Sequence, residues 1–223
     1  MPSLVELNIG YNQNEDNFGE YPKGVFSDLH SLQTLIIDGL ILGTFHEDFS
    51  KLTRIQNLDL DDCNCMMTKI TNKTFAGFRN STLKTLNMHC TIIEIETCAF
   101  CELSNLRSLN ITRYVASPEE MLLSLYGLQN NTMDVVNIMY NHQYQTTFIL
   151  TKSAGKYAEN ICVKQVSLRG SQISQITNGF LSQHSTLMKC LEHIDIAENF
   201  LRGNINEMIK LLNSATNLKS CKN

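Results

Sequence analysis

The sequence predicts an α/β solenoid, in which short parallel strands stack side by side and loops or short helices return the chain between them. Three observations predict it. Apolar residues recur at places one, four and six of a short segment, this segment returns every 23 to 30 residues, and an aromatic residue precedes several copies. One such unit cannot bury its own apolar face, so neighbouring units must stack to share a core.

The strand pattern is clearest at residues 191–199, where LEHIDIAEN matches L-x-x-L-x-L-x-x-N with Ile at two apolar places. Places one, four and six point into the shared core, and the Asn at place nine turns the chain by bonding free backbone groups. Seven earlier copies begin at Leu4, Leu32, Ile55, Leu83, Leu106, Met133 and Val163, and a truncated ninth begins at Leu218. We therefore predict one leucine-rich-repeat array over residues 1–223, a horseshoe arc with a parallel concave β-sheet and convex loops or short helices.

An aromatic lead-in precedes four of these strands. The form F-x-x-L-x-x-L/I begins at Phe26, Phe49 and Phe100, and Phe75 leads to its strand with two additional residues. A ring fills a large volume, so we expect these side chains to pack the wider convex side of each repeat.

Two inserts carry helix signals, and two others do not. Ser117 followed by Pro118 and two acidic residues is typical of a helix start, and an apolar stripe continues to about Gly127. Residues 206–212 form a second predicted helix. Residues 11–23 and 142–160 are polar and irregular, and we expect them to be loops on the convex side or rim.

Composition excludes several functional classes. A net charge of -4 gives no general attraction to nucleic acid or anionic membrane. No stretch approaches the roughly 18 consecutive apolar residues that suggest a membrane span, and the N-terminus has no leader-like apolar region. Neither end carries the polar, Cys-rich cap that closes an extracellular solenoid, so we expect an internal piece of a longer protein.

Catalytic motifs are missing from the sequence. The six His residues belong to unrelated repeats, and no H-E-x-x-H, G-x-S-x-G or Gly-rich phosphate loop occurs. We therefore predict a protein that is not an enzyme and binds no cofactor.

Two groups of side chains could hold a metal ion. The Cys63-Asn64-Cys65 and Cys98-x-x-Cys101 pairs could offer four thiolates to zinc, and Asp59, Asp61 and Asp62 could coordinate calcium. Buried thiols and a solvated acidic face are the simpler explanations. We predict no metal site.

Four sequons are candidates for N-glycosylation: Asn72, Asn80, Asn110 and Asn130. A chain this rich in Asn, Ser and Thr contains several sequons by chance, so their number does not establish secretion. Their placement adds some support, because Asn72, Asn80 and Asn130 fall in predicted inserts or loops.

Cys162 and Cys190 are a candidate disulfide pair. Each lies one place before the first position of its repeat, and equivalent places in adjacent repeats stack at strand spacing. That separation lies within the Cα range that a disulfide requires. Two stacked free thiols remain the alternative.

The strand pattern, the aromatic lead-in, the irregular repeat length and the convex inserts together resemble the ectodomain of a Toll-like receptor, an invertebrate one among the candidates. The resemblance implies a glycosylated, extracellular part of a membrane receptor in innate immunity, at the plasma membrane or in the endosome. It also implies that the chain binds a protein or microbial ligand, with receptor dimerisation as a further possibility. Membrane attachment and signal transduction would come from segments of the family outside this sequence.

A second function fits the same repeats. An intracellular or secreted leucine-rich-repeat scaffold or inhibitor would bind a protein partner through the same surface, and in the cytoplasm it would need no disulfide. The sequence leaves this alternative open.

Place five of each strand points away from the core and defines a column on the concave face: Asn8, Ile36, Asp59, Asn87, Asn110, Asn137, Ser167 and Asp195. Amides and hydroxyls present both donors and acceptors, which suits a polar ligand or protein surface. With flanking charges added, the candidate binding residues are Asn8, Asp59, Asp61, Asn87, Arg107, Asn110, Arg113, Asn137, Arg169 and Asp195. The mixed charge does not specifically support nucleic-acid binding.

Two alternatives to concave binding remain. The concave face could simply be solvated. A glycan on Asn110 would block the middle of the arc and move recognition to the rim or convex inserts at 117–127 and 142–160.

Overall fold

The computed structural model describes residues 3–10, 21, 23–40, 43–60, 65–129, 131–140, 147–182, 184–201 and 205–222. Within these ranges the chain is an α/β fold that consists mainly of parallel β-sheet with a few short helices. Its largest sheet is open, because the two outermost strands each pair on one side only. The α/β class that the sequence predicts is confirmed.

Strands make up most of the regular structure. Those of the described residues are β1 (Glu6–Asn8), β2 (Thr34–Ile36), β3 (Asn57–Leu60), β4 (Lys69–Ile70), β5 (Thr85–His89), β6 (Glu94–Ile95), β7 (Ser108–Tyr114), β8 (Thr132–Tyr140), β9 (Phe148–Leu150), β10 (Cys162–Ser167), β11 (Ile173–Ile176), β12 (His193–Asp195) and β13 (Ser220–Lys222). The main sheet has the order β1-β2-β3-β5-β7-β8-β10-β12-β13, and β4 with β6 and β9 with β11 form two small sheets.

The strands of the main sheet pair in the register that the sequence pattern predicts. Place four of each repeat lies opposite place four of the next, in the column Leu7, Leu35, Leu58, Leu86, Leu109, Val136, Val166 and Ile194, which Cys221 extends. The five members from Leu35 to Val136 are buried, Leu7, Val166 and Ile194 are half-buried, and Cys221 is exposed. The predicted inward-facing column is confirmed.

Aromatic side chains fill the core beneath this column. The four predicted rings, Phe26, Phe49, Phe75 and Phe100, are all buried. Phe26 lies 4.9 Å from Phe49, and Phe75 lies 5.9 Å from Phe100, measured between ring centroids. Phe45 stacks on Phe75 and continues the row between them. The wide side of the core is thus packed by rings that contact each other from one repeat to the next.

Four α-helices lie among the described residues: α1 (Pro118–Ser124), α2 (Lys152–Ala158), α3 (Thr186–Cys190) and α4 (Ile205–Asn213). The predicted start of α1 is confirmed, because the Ser117 side chain accepts from the Glu120 backbone N–H while the Glu120 carboxylate accepts from the Ser117 N–H. The helix ends at Ser124 rather than near Gly127, and a 3-10 helix, Leu125–Leu128, continues it. The helix predicted over 206–212 is confirmed as α4.

One predicted loop is wrong in part. Residues 147–160 of the expected irregular segment 142–160 contain β9 and α2, while residues 142–146 lie outside the described residues. The Thr151 side chain caps α2 by accepting from the Ala154 N–H. Gly155 then lets the helix lie directly on the Phe180 carbonyl, because a Cβ at this position would fall 1.5 Å from that oxygen. The sequence did not predict α2, because its buried face consists of the small residues Ala154, Gly155 and Ala158 and gives no strong apolar stripe.

Among the residues that the structure describes, none of the helices is both long and apolar enough to cross a membrane.

The inward column gives a test of the fold. Leu86 is fully buried in the centre of the sheet, so the substitution Leu86→Ala should lower the free energy of unfolding by about 2–5 kcal/mol. The neighbouring Thr85 points to the opposite face, and Thr85→Ala should change it by only about 0.5 kcal/mol. Urea denaturation of both variants with disulfides intact measures the difference. Equal losses of unfolding free energy in the two variants would contradict the assignment of Leu86 to the core face and Thr85 to the opposite face.

Candidate functional site

The outward-facing place five forms one continuous polar column across the main sheet. Strand pairing aligns Asn8, Ile36, Asp59, Asn87, Asn110, Asn137, Ser167 and Asp195 in that order, and Lys222 follows Asp195. Successive residues of a strand point to opposite faces, so this column lies on the face opposite the leucine core. We call it the polar column. Apart from Ile36, it consists of Asn, Asp, Ser and Lys.

Hydrogen bonds join neighbouring members of the polar column. The Asn87 Nδ2 donates to Asp59 Oδ2 at 3.1 Å, and the Asn137 Nδ2 donates to Asn110 Oδ1 at 2.7 Å. The Asn137 Oδ1, by contrast, is shielded from solvent and has no hydrogen-bond partner within the described part of the chain. A buried carbonyl oxygen without a donor costs free energy, which offsets part of what the hydrogen bond to Asn110 contributes.

Place three forms a second outward column with its own cross-strand bonds. Asn57 donates from Nδ2 to Thr34 Oγ1 at 3.1 Å, and the His193 Nδ1 lies 2.7 Å from Ser220 Oγ. Further along the same face, at place seven, the ring of His89 hydrogen-bonds the hydroxyl of Thr112. These bonds fix the rotamers of polar side chains before any partner arrives, which reduces the entropy lost on binding.

Charged side chains on this face are paired across strands. Lys164 Nζ lies 2.7 Å from Asp134, and Lys219 Nζ lies 2.6 Å from Glu192. The hydrogen bond from Lys219 lowers the pKa of the Glu192 carboxyl. Such exposed pairs add little stability, but they cancel each other's field over the surface. The face is therefore polar without a strong net charge.

Arg169 makes the most connected of these pairs. Its guanidinium lies 2.6 Å from Glu198 and 4.0 Å from Asp195 of the polar column. The hydrogen bond to Glu198, with a smaller contribution from the charge of that carboxylate, raises the pKa of Arg169. Asp195 also accepts from the Ala197 backbone N–H through Oδ1 at 3.0 Å. The Asp195 side chain, near the C-terminal end of the polar column, is thus positioned by Arg169 and by the Ala197 backbone N–H.

A shallow depression of about 470 Å³ lies over strands β8, β10, β12 and β13. Its polar lining includes Asn137, Ser167, Arg169, His193, Asp195 and Lys222. The depression thus lies over the part of the polar column that contains the unpartnered Asn137 Oδ1. It gives a partner both hydrogen-bond acceptors and charged groups in one concave area.

The predicted binding residues fall on this face in most cases. Asn8, Asp59, Asn87, Asn110, Asn137, Arg169 and Asp195 lie as described above, whereas Asp61 lies outside the described residues. Arg107 is exposed and donates from Nη1 to the Thr132 carbonyl at 3.3 Å. Arg113 lies where the β7–β8 register shifts and has a φ of 64°. His193 and Gln165, both at place three of the pattern, also line the depression and were not among the predicted binding residues.

The sequons differ in their surroundings. Asn72 and Asn80 are exposed in turns, and the φ of 62° at Asn80 is one that Asn readily adopts. Asn110 is half-buried in the polar column, and the Thr112 hydroxyl of its sequon bonds His89. Asn130 lies outside the described residues. Of the three sequons that the structure describes, Asn72 and Asn80 are thus open and Asn110 is not.

Three disulfides lie among the described residues. Cys162 is joined to Cys190 with a Cα–Cα distance of 5.3 Å, which links β10 to the end of α3. Cys65 is joined to Cys90, and Cys98 to Cys101. The interpretation of Cys65, Cys98 and Cys101 as buried free thiols was therefore wrong, because their sulfur atoms are bonded in pairs.

Metal ligation finds no further support. Within the described ranges, His, Cys, Asp and Glu form no group of three or more that could hold a metal ion. Of the four cysteines considered as zinc ligands, the structure describes three. Cys98 and Cys101 are joined to each other, and Cys65 is joined to Cys90.

Comparison with known proteins supports the fold. No protein-family model matches the chain, and no curated protein matches it at a significant level. Among solved structures, the chain is similar to a chain of the Toll–Spatzle complex, described as a molecular hub in Drosophila development and innate immunity. The two share 17% sequence identity and a TM-score of 0.51 over 81% of this chain and 26% of that chain. The likeness concerns the fold, and this chain spans about a quarter of that relative.

The unpartnered oxygen at position 137 gives a second test. Asn137→Ile places in the column the same residue type as Ile36. It should change the free energy of unfolding by no more than about 1 kcal/mol, because the lost hydrogen bond to Asn110 is offset by removal of a buried oxygen without a donor. Asn87→Ile is the matched control and should lose about 1.5–3 kcal/mol, since Asn87 donates to a carboxylate. Urea denaturation compares them, and a larger loss at position 137 would contradict the assignment.

Proposed function

We propose that this chain is a leucine-rich-repeat segment of a Toll-like receptor ectodomain and that it recognises a protein partner without catalysis. The observation that carries the proposal is the polar column, which runs in register across nine strands and leaves an acceptor unpaired at Asn137. Polar groups held rigidly on an open sheet suit recognition, because their donors and acceptors keep fixed positions.

The disulfides support an extracellular location. Cys65–Cys90 and Cys162–Cys190 each tie neighbouring repeats together, and such bonds form and persist in oxidising compartments. Each closes a loop of more than twenty residues, which contributes roughly 3–4 kcal/mol of stability in the chain-entropy model. A chain that depends on these bonds would be poorly stable in a reducing cytosol. This favours the receptor over the cytoplasmic scaffold.

The form of the site favours a protein over a small ligand. The depression over β8, β10, β12 and β13 is shallow and opens onto a broad polar face, whereas small-molecule sites are mostly apolar clefts that bury most of the ligand. A protein surface can contact the polar column and its charge pairs at once. The structurally similar chain belongs to a complex of Toll with Spatzle, which makes a protein ligand of that kind the first probe.

The complete coding sequence separates the receptor from the scaffold or inhibitor. We expect about 20 consecutive apolar residues downstream of Asn223, followed by a cytoplasmic α/β domain. Sequencing the full-length transcript tests this directly. A stop codon shortly after a further repeat cap would contradict the receptor and favour a soluble scaffold or inhibitor.

Binding to Spatzle tests where recognition occurs. Ser167 is half-buried in the depression, so Ser167→Arg should weaken binding at least about tenfold by filling it. The matched control is Ser50→Arg, which adds the same side chain at an exposed position of the 3-10 helix Glu47–Lys51. Biolayer interferometry with the secreted, disulfide-intact chain measures both.

Two outcomes would overturn this assignment. Absence of binding by the folded chain would contradict the choice of partner. Normal binding by Ser167→Arg, together with loss in Glu119→Arg on α1, would move recognition from the sheet to the insert at 117–127.

A further inference from the structure

We propose that the Cys98–Cys101 disulfide is a reversible thiol–disulfide exchange site whose co-substrate is a dithiol. The two cysteines are three residues apart, whereas the partners in the other two disulfides are 25 and 28 residues apart. Cys-x-x-Cys spacing favours exchange, because the thiolate that leaves stays beside the sulfur that was attacked. Both residues are half-buried, so each is partly accessible to solvent.

The turn that contains this disulfide does not require it. The same turn occurs at 24–27, with Phe26 in the place of Phe100 and without any cysteine. Ser27 N–H donates to Gly24 O at 3.4 Å, as Cys101 N–H donates to Cys98 O at 3.1 Å. The first residue has a positive φ in both turns, 78° at Gly24 and 66° at Cys98.

The Ser27 hydroxyl occupies the place in its turn that the Cys101 sulfur occupies in the other. It donates to Gly24 O at 2.7 Å and so closes its turn by a hydrogen bond where the other turn has a covalent bond. A positive φ suits glycine but costs free energy in cysteine. The bridge at 98–101 therefore holds a residue in a backbone conformation that the equivalent turn adopts with glycine.

Reduction at this turn is a local event. In the chain-entropy model the stabilisation by a disulfide grows with the loop that it closes, so losing a four-residue loop changes the folding equilibrium roughly 20-fold less than losing the Cys162–Cys190 loop. Neither Cys98 nor Cys101 links one repeat to the next. The turn also has an anchor that does not involve the bridge, because the buried Phe100 ring packs on Phe75.

The surroundings determine which sulfur is attacked. Gly127 lies against Cys101, and a Cβ there would fall 2.1 Å from the Cys101 Sγ. This contact covers one side of Cys101, so an incoming thiolate reaches the Cys98 Sγ from the side opposite the S–S bond. Attack forms a mixed disulfide at Cys98 and releases Cys101 as a thiolate.

The second step completes the exchange. The other thiolate of the dithiol attacks its own sulfur in the mixed disulfide and releases Cys98. The dithiol leaves as a cyclic disulfide, its two protons pass to Cys98 and Cys101, and two electrons reduce the bridge. Oxidation by a disulfide reverses both steps, since the turn keeps the two thiols within reach of each other.

Graded reduction of the intact chain tests the proposal. Free thiols, including the exposed Cys221, are first blocked with N-ethylmaleimide. The chain is then treated with increasing dithiothreitol at pH 8, alkylated with a second label and examined by peptide mass spectrometry. We expect Cys98 and Cys101 to be labelled at least about tenfold faster than Cys65, Cys90, Cys162 and Cys190. Circular dichroism should remain unchanged at that stage, and glutathione disulfide should restore the same pair.

The double variant Cys98→Gly, Cys101→Ser serves as the matched control, because it places the residue types of Gly24 and Ser27 at the equivalent positions of the second turn. It should fold, keep the other two disulfides and show no fast-labelling pair. The proposal would be overturned if Cys98 and Cys101 were labelled no faster than the cysteines of the other two disulfides. Reduction that proceeds only with global unfolding, or a double variant that does not fold, would overturn it as well.

Discussion

The in-register parallel pairing of the main sheet is the constraint on which the rest of the structure depends. Side chains of a strand alternate between its two faces, so a slip of one residue would exchange them. The leucine column would then face solvent, and Asp59 and Asn110 would enter the core. Backbone bonds that span the repeats, such as Gln56 N–H to Gln33 O and Lys84 N–H to Gln56 O, repeat this register at strand after strand. The polar column therefore exists only because the apolar column is fixed.

Sequence reasoning was accurate where a local rule determines the structure. The strand register followed from the repeated apolar places, and the start of α1 followed from Ser117, since a capping box is a property of four consecutive residues. It failed where contacts between distant residues decide. The Cys65–Cys90 disulfide joins residues that are ten places after Ile55 and seven places after Leu83, so the pattern does not bring them together. Cys162 and Cys190, at equivalent places, could be paired from the sequence.

The candidate site was predictable to the same extent. Which residues face outward follows from alternation, and seven of the ten predicted binding residues lie on that face as expected. How they bond to one another does not follow, because side-chain rotamers depend on neighbours one repeat away. Arg169 shows the difference: its place predicts exposure, but only the structure pairs it with Glu198 and Asp195. A candidate binding residue chosen for its charge can thus already be paired within the chain, as Arg169 is.

The polarity of the outer column is not required by the fold. Ile36 occupies the same place between Asn8 and Asp59, so the sheet accepts a β-branched apolar residue there. β-Branched residues have a higher strand propensity than Asn and Asp. A fold selected for stability alone would repeat Ile36 along the column and would not leave the Asn137 oxygen without a donor. Local choices that oppose the fold are expected at functional sites, where binding compensates for their cost. The same residues that weaken the strands therefore mark the face on which we propose that a partner binds.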